Sequence, residues 1–385
     1  MFPLSPFFCV IIFAIAFATA YTLQKIYPTN SISSRYETID GLRGFLAIAV
    51  YIHHTVIWHQ YLQKGLWDVP KSNLYTLLGQ GSVSLFFMIT SFLFVSKIIN
   101  ATNGVFNLKQ FFISRLYRLT PLYLFTIILL IIIVMSITNW QLNVPWLTFL
   151  NSIISWGLFT IFGSPSINNS AFTTLTNASV VWSLPYEWLF YFSMPMLYLL
   201  FWRKKISIVF IVLSVGFLIF FFIKYGFVWY HIICFAGGAI AAIIMKYFPI
   251  YKKLNKYVAS AIILISLFFI GKFDSSHKLV CIILLSLVFT LIALGNDIFG
   301  VLKNESLKLL GEICYSTYLL HGTVLFILFH FVLKEGNVKH YSSLQYCLVI
   351  FLITPLVVGV SYVSFKYIEE PFMKKGKMLF IKEKV

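Results

Sequence analysis

Residues 38–54 of the chain read TIDGLRGFLAIAVYIHH, a polar opening followed by an apolar run that carries one arginine and two histidines. Read as a helix, Arg43 and His54 are separated by three turns plus roughly 20°, so both lie on one face. The helical rise places them roughly 16 Å apart along the axis. Gly41 and Gly44 flank the arginine and allow backbone or ligand to approach closely. Because such polar residues are costly inside a membrane, this face is the first candidate for a functional site.

The composition indicates a membrane protein. Of the 385 residues, 60% are hydrophobic and only 11% are charged, whereas soluble domains carry about 25% charged residues. Several apolar runs reach the roughly 20 residues that span a bilayer. The net charge of +17 is compatible with nucleic-acid binding, but the lysines and arginines cluster in short loops between apolar runs, as in cytoplasmic loops. We therefore predict an all-α, polytopic transmembrane helix bundle that contacts the lipid bilayer and no nucleic acid.

The apolar runs predict eleven spans, with the N-terminus outside and the C-terminus in the cytoplasm. This orientation places 22 of the 29 lysines and arginines on the inner side, in agreement with the positive-inside rule. The first span, residues 4–23, lacks a positive residue before Lys25, so we interpret it as a retained helix and not as a signal peptide. The other ten spans are predicted over residues 44–61, 82–99, 119–138, 181–202, 206–223, 228–245, 258–270, 279–294, 309–333 and 344–365.

The apolar residues 146–162 are ambiguous. If they spanned the membrane, the basic residues 203–205 would fall outside, so we interpret the segment as a re-entrant or interfacial piece on the outer side. The polar residues 163–179 that follow are predicted to form an outer loop.

The chain is predicted to have three parts. Residues 1–34 form an extra N-terminal transmembrane helix and linker, residues 35–373 form one membrane domain, and residues 374–385 form a basic cytoplasmic tail. No appended soluble domain is expected.

The five cysteines stand singly in apolar runs, without metal-ligand spacing. We expect buried, unreactive thiols and no metal site.

Two arginines at helical spacing suggest an anion site. Arg115 and Arg118 lie at i and i+3, on one helix face, at the same cytoplasmic level as Arg43. Three arginines at one level suit a phosphate, because a guanidinium forms bidentate, charge-assisted hydrogen bonds with it. The alternative is that these arginines only anchor the helix ends at the inner surface.

Three further ionisable residues fall inside the predicted spans. His54 and His321 are candidates for acid–base chemistry, and the alternative for each is a satisfied interior histidine that links two helices. Glu187 is costly in a membrane unless it is paired, and it could orient or charge-pair a histidine. Glu369 and Glu370 follow the last span and would most simply pair with arginines or lysines of the inner face.

Taken together, these motifs resemble those of the membrane-bound acyltransferase 3 family. The resemblance rests on five segments in the same order, from about residue 35 to 373: Ile39–Arg43 followed by His54; Arg115 and Arg118; Trp182, Ser183, Leu184 and Glu187; Gly311, Tyr315, Tyr318 and His321; and residues 368–372, Ile-Glu-Glu-Pro-Phe. The chain departs from the family at Cys314, where serine is usual, and in residues 84–91. There Ser84 replaces an aspartate and Thr90-Ser91 replaces serine-glycine.

The resemblance implies a ten-helix acyltransferase core, to which the first helix is extra. It also implies a bacterial inner-membrane O-acyltransferase that transfers an acyl group, most simply acetyl, from cytoplasmic acetyl-CoA to a hydroxyl of a surface glycan or lipid-linked saccharide. Arg43, Arg115 and Arg118 would hold the phosphates of coenzyme A, and His54 would act at the thioester end with Glu187 or His321. Two alternatives remain: a transporter or flippase for a glycolipid or small polar solute, and a non-catalytic partner in a glycan-assembly complex.

Overall fold

The computed structural model describes residues 2–27, 36–101, 106–202, 206–248 and 254–381. Throughout these ranges the secondary structure is helical, with turns between the helices and no strand. Seven of the described helices are long and apolar enough to cross a membrane. The prediction of an all-α polytopic bundle is therefore confirmed, whereas the count of eleven spans and the orientation stay predictions. The basic cluster at 203–205 lies outside the described residues.

The helices are labelled in chain order. The first seven are α1 (Pro6–Ile26), α2 (Glu37–Lys64), α3 (Asn73–Ile99), α4 (Leu108–Ile137), α5 (Trp146–Gly157), α6 (Leu184–Trp202) and α7 (Ile208–Tyr225). The next seven are α8 (Trp229–Tyr247), α9 (Lys256–Ile270), α10 (Leu279–Ala293), α11 (Glu305–Glu312), α12 (Cys314–Val332), α13 (Ser343–Ser364) and α14 (Glu370–Ile381).

Helix α2 contains the whole stretch 38–54 and packs against α3, α11 and α12. Its glycines make this packing possible. A Cβ at Gly41 would collide with the carbonyl of Leu302, and one at Gly44 with that of Leu307. Of the two expected neighbours, backbone and ligand, the structure places backbone against these glycines.

The predicted single helix over residues 309–333 is wrong, because the chain breaks at Ile313. Helix α11 ends at Glu312, and α12 starts at Cys314. Gly311 at the end of α11 faces the carbonyl of Asp40 so closely that a Cβ would not fit. Helix α11 is thus held against α2, and α12 begins after the break. The apolar pattern continues across Ile313, so hydropathy alone does not reveal the break.

Helix α5 covers most of the ambiguous segment 146–162. Its 12 residues extend about 18 Å, which is too short for the hydrocarbon core. Trp146, Leu147 and Ile154 on this helix are exposed. A short helix with exposed apolar side chains agrees with an interfacial piece and excludes a spanning one.

Residues 163–179, which were predicted to form an outer loop, are buried over much of their length, and the side of the membrane on which they lie stays a prediction. The Asn168 amide donates to Thr138 Oγ1 at 2.8 Å and to the Gln141 carbonyl at 2.7 Å. Further on, the backbone at Asn177 lies so close to Gly322 of α12 that a Cβ there would collide with it. Polar side chains satisfy the backbone of this segment, which allows an irregular chain to enter the bundle.

The C-terminal boundary predicted at residue 373 does not coincide with a break in the fold. A π-helical turn, Phe365–Glu369, connects α13 to α14, and the helix continues to Ile381. Helix α14 packs against α4. Residues 374–381 thus continue this helix, and the domain boundary at residue 373 stays a prediction.

Candidate active site

A cavity of about 110 Å³ brings together charged residues from three helices. Its polar lining consists of Arg43 (α2), Thr90 (α3), Arg115 and Arg118 (α4), Ser183, Glu187 and Tyr191 (α6 and the turn before it), and Cys314, Tyr315 and Tyr318 (α12). The three arginines expected at one level thus share one cavity. Thr90, at a departure from the family pattern, also lines it.

Arg43 is held from two sides. Its Nη1 atom lies 3.6 Å from Asp40 Oδ1, one helical turn earlier. Its Nη2 atom donates to Cys314 Sγ at 3.1 Å. The Asp40 partner was readable from the i, i+3 spacing, but the Cys314 partner was not, since it lies 271 residues away.

The other two arginines have no carboxylate partner. Neither Arg115 nor Arg118 forms an ion pair with any described residue. The Arg115 guanidinium lies 5.0 Å from the Phe94 ring centroid, and its Nε atom is buried without a hydrogen-bond partner. Buried charges normally find a partner. Two guanidinium groups without an ion pair to a described residue thus border the cavity.

Glu187 belongs to this charged cluster and not to the histidines. It accepts a hydrogen bond from Tyr191 at 3.3 Å, and its charge interacts with Arg118, Arg115 and Arg43. The hypothesis that Glu187 orients His54 finds no contact in the described structure. Because residues 163–183 enter the bundle, the start of α6 lies at the level of the arginines.

Glu369 adds a second carboxylate near the arginines. It is fully buried, accepts from Ser316 Oγ at 3.2 Å, and interacts electrostatically with Arg118 and Arg43. Its second oxygen, Oε1, has no partner. Glu370 instead forms a 2.6 Å ion pair with Lys374. Glu370 thus pairs with a lysine, as expected, whereas Glu369 forms no ion pair with a described residue.

The two candidate histidines contact each other. His54 Nδ1 lies 3.1 Å from His321 Nε2, although the residues are 267 positions apart. His54 Nδ1 also lies 3.0 Å from the Val50 carbonyl, and His321 Nδ1 lies 2.8 Å from the Thr317 carbonyl. His321 is fully buried, whereas His54 is only partly buried. Of the pair, His54 is therefore the ring that a substrate can reach.

These contacts fix the tautomers of both rings. The Thr317 carbonyl can only accept, so His321 carries its proton on Nδ1 and, when neutral, presents a lone pair at Nε2. His54 must then donate from Nδ1, which also suits the Val50 carbonyl. The neutral His54 ring is left with its lone pair on Nε2. An oriented imidazole with a free Nε2 is the form that a general base requires.

His53 packs against His54 of this histidine pair. Its Nδ1 atom lies 2.7 Å from the Tyr75 carbonyl, and its ring meets His54 edge-to-face at 5.2 Å. Gly79 leaves room for the ring, since a Cβ there would lie 2.6 Å from His53 Nε2. Sequence reasoning assigned His53 no role, although its position beside His54 was visible.

Tyr318 connects the cavity to the histidines. Its ring lines the cavity, and its centroid lies 6.4 Å from that of His321. Its hydroxyl donates to the Val180 carbonyl at 2.8 Å and lies 2.9 Å from Ser183 Oγ. The arginine end and the histidine pair are thus neighbouring parts of one site.

All five cysteines are free and buried, as expected. Cys314 differs from the other four because it lines the cavity beside Arg43. Among the described residues, no group of three or more His, Cys, Asp or Glu is arranged to hold a metal ion.

A polytopic helix bundle with an arginine-lined cavity beside a histidine pair defines a membrane-embedded protein with a polar interior site. The family model described as an acyltransferase domain matches residues 36–366. The chain therefore belongs to the acyltransferase 3 family, and the resemblance inferred from its motifs is confirmed.

Curated relatives point the same way. Proteins of Staphylococcus aureus strains COL, MSSA476 and MRSA252, each named "Putative O-acetyltransferase", are 26% identical to the chain over 377 residues. The match covers 88% of the chain but 57% of each relative, so the chain spans little more than half of their length. No solved structure matches the chain.

Proposed function

We propose that the protein is an O-acyltransferase of the bacterial plasma membrane. It would transfer an acyl group, most simply acetyl, from cytoplasmic acyl-CoA to a hydroxyl of a surface glycan or lipid-linked saccharide. The family assignment and the names of the relatives support the reaction class. The observation that carries the proposal is the hydrogen bond between His54 and His321, which leaves His54 Nε2 free as a base beside an arginine-lined cavity.

The donor end of the site fits a phosphate. Arg115 and Arg118 border the cavity without an ion pair to any residue that the structure describes, and Arg43 lines the same cavity. A cavity of about 110 Å³ is smaller than the roughly 300–1,000 Å³ of typical ligand pockets. It would admit a narrow chain and exclude a nucleotide. The phosphates of coenzyme A would therefore stay at the arginines while the pantetheine arm extends toward the histidines.

His54 performs the proton transfer in this proposal. Its Nε2 atom takes the proton of the acceptor hydroxyl, so that the oxygen attacks as a better nucleophile. The bond from the acyl carbon to sulfur breaks as the bond to oxygen forms, and His54 returns the proton to the departing thiolate. His321 holds the tautomer and stabilises the positive charge on His54 through the shared hydrogen bond. Acyl-CoA supplies the activated acyl group.

A rival role for His54 is direct attack on the thioester, which would make it a covalent acyl carrier. A general base needs donor and acceptor together, whereas a carrier becomes labelled by the donor alone. The purified protein should be incubated with radiolabelled acetyl-CoA without acceptor, quenched and digested. Absence of label from the His54 peptide is expected, and label there would establish the carrier role.

The proposal itself is tested by acyl transfer in cells. Glycan from cells that express the protein should carry an alkali-labile acetyl group, and His54→Ala should abolish it while the protein still inserts. His59→Ala is the matched control, because His59 lies on the same helix, is partly buried, and packs its ring against Tyr346 at 4.8 Å. Retained acetylation in His54→Ala would contradict the proposal.

A further inference from the structure

A cluster of five rings lies beside the cavity and has no role in the reaction described above. Trp182 and Tyr186 come from the start of α6, Tyr230 and His231 from the start of α8, and His277 from the loop between α9 and α10. His231 lies 4.4 Å from both Tyr186 and Tyr230 and 5.4 Å from Trp182, measured between ring centroids. Tyr230 stacks on His277 at 4.4 Å. Three separate parts of the chain thus converge on this cluster.

The two imidazoles in the cluster have unused hydrogen-bonding groups. His231 is only 4% exposed, yet its ring has no hydrogen-bond partner among the described residues. The His277 ring also has none, since only its main-chain N–H is bonded, to Ser275 Oγ. Buried polar side chains are normally hydrogen-bonded. The buried His231 ring, with the partly buried His277 ring near it, therefore points to a ligand that supplies hydrogen bonds.

Trp182 provides the exposed surface of the cluster. Its side chain is 43% exposed, and the His231 ring lies behind it. Trp182 directly precedes Ser183, which lines the cavity. Phe87 lines the cavity too, and its centroid is 5.3 Å from that of His231. The cluster and the cavity thus share a wall.

The chemistry of the cluster is aromatic and neutral. None of its five side chains is a carboxylate, an amine or a guanidinium. Burial lowers the pKa of His277 to about 4, so its ring is neutral near pH 7 and offers one donor and one acceptor. A pyranose ring matches this surface, because its C–H face stacks on an aromatic ring while its hydroxyls bond to imidazole nitrogens.

We propose that Trp182, Tyr230, His231 and His277 form a saccharide-binding subsite that holds one neutral sugar residue of the acceptor next to the reaction centre. This inference rests on the proposed function for the identity of the reaction, but binding at the subsite requires neither acyl-CoA nor turnover. The competing explanation is that the rings are part of the aromatic belt at the membrane surface. A belt explains an exposed Trp182 but not the buried His231 ring behind it, which forms no hydrogen bond with a described residue.

The test is binding of neutral oligosaccharides to the purified full chain in the absence of donor. Saturation-transfer difference NMR would be recorded with maltotriose, cellotriose and chitotriose. At least one should show saturation transfer, strongest at the C–H protons of one sugar face. Trp182→Leu should weaken its binding about tenfold, the size of one aromatic contact and equal to about 1.4 kcal/mol. Trp182→Phe should restore part of the loss, and His277→Ala should weaken binding while His277→Gln retains most of it.

Two controls separate loss of saccharide binding from the loss of any exposed tryptophan and from failure of the donor site. Trp146→Leu removes an exposed tryptophan of α5, 61% exposed, that contacts Phe149 and none of the five rings. It should leave saccharide binding unchanged. Coenzyme A affinity, measured on the same variants, should also be unchanged, so failure of the donor site would be seen separately. Absence of saturation transfer with all three sugars, or equal effects of Trp182→Leu and Trp146→Leu, would overturn the subsite.

Discussion

The arginine end and the histidine end of the site differ in whether their polar groups already have partners in the protein. At the arginine end, three helices contribute charged groups, and neither Arg115 nor Arg118 forms an ion pair with a described residue. At the histidine end, two helices contribute two imidazoles, and the contacts of both Nδ1 atoms are satisfied by backbone carbonyls and by the partner ring. Unpaired cations are suited to hold an anion, whereas rings fixed by hydrogen bonds are suited to present one lone pair in one direction. We therefore expect the arginine end to bind the donor and the histidine end to transfer the proton.

The prediction with the largest expected effect concerns the side of the membrane that each end of the site faces. If the arginine end opens to the cytoplasm, the C-terminus also lies there. A fluorescent reporter that matures only in the cytoplasm should be bright when fused at Val385, and a periplasmic alkaline phosphatase at the same point should be inactive. The reverse pattern would place the arginines away from the acyl-CoA pool and remove their proposed role.

The second effect tests the histidine end. His321→Ala should lower kcat by roughly 100-fold or more, because His54 loses the group that fixes its tautomer. The KM for acyl-CoA should change little, since the arginines are untouched. His321→Gln retains an acceptor and should recover part of the rate. A large rise in KM with unchanged kcat would show that His321 belongs to donor binding.

The third effect tests the arginine end. The double variant Arg115→Ala, Arg118→Ala should lose affinity for coenzyme A, since each charge-assisted hydrogen bond to a phosphate is worth roughly 1.5–3 kcal/mol. Lys109→Ala is the control, because Lys109 is an exposed cation on the same helix. Calorimetry should show weaker binding only in the double variant. Equal affinities would reduce both arginines to anchors at the membrane surface.

The smallest expected effect concerns Gly44, beside Arg43, and tests whether this glycine serves helix packing or ligand binding. Gly44→Ala should lower thermal stability by about 1–3 kcal/mol, the usual cost of overpacking, because a Cβ would press on the Leu307 carbonyl and the Gly311 nitrogen. Gly216→Ala, at a position with nothing within 4 Å of the new Cβ, should not lower it. Thermal unfolding of both variants would measure this difference in stability. A stable Gly44→Ala with weakened coenzyme A binding would mean that the glycine serves the ligand.

The sequence predicted the bundle and the arginine end better than the histidine end. Helical periodicity placed Arg43 on the face of His54, and the i, i+3 spacing joined Arg115 to Arg118. Nothing local in the chain could show that His54 meets His321, because that contact depends on how α12 leaves the break at Ile313. Glu187 was assigned to the wrong neighbours for a similar reason. The residues before it look like an outer loop by composition but pack inside the bundle.

The hydrogen-bond chain through the two histidines is closed at one end. A proton that arrives at His54 Nε2 can shift the Nδ1 proton toward His321, but the chain stops at the Thr317 carbonyl, which has no proton to pass on. The positive charge can thus be shared by two rings and carried no further into the protein. A proton taken from a substrate must leave by the route on which it came. In the proposed reaction the pair would therefore store one proton without passing it on, and each turnover would return the site to its starting charge.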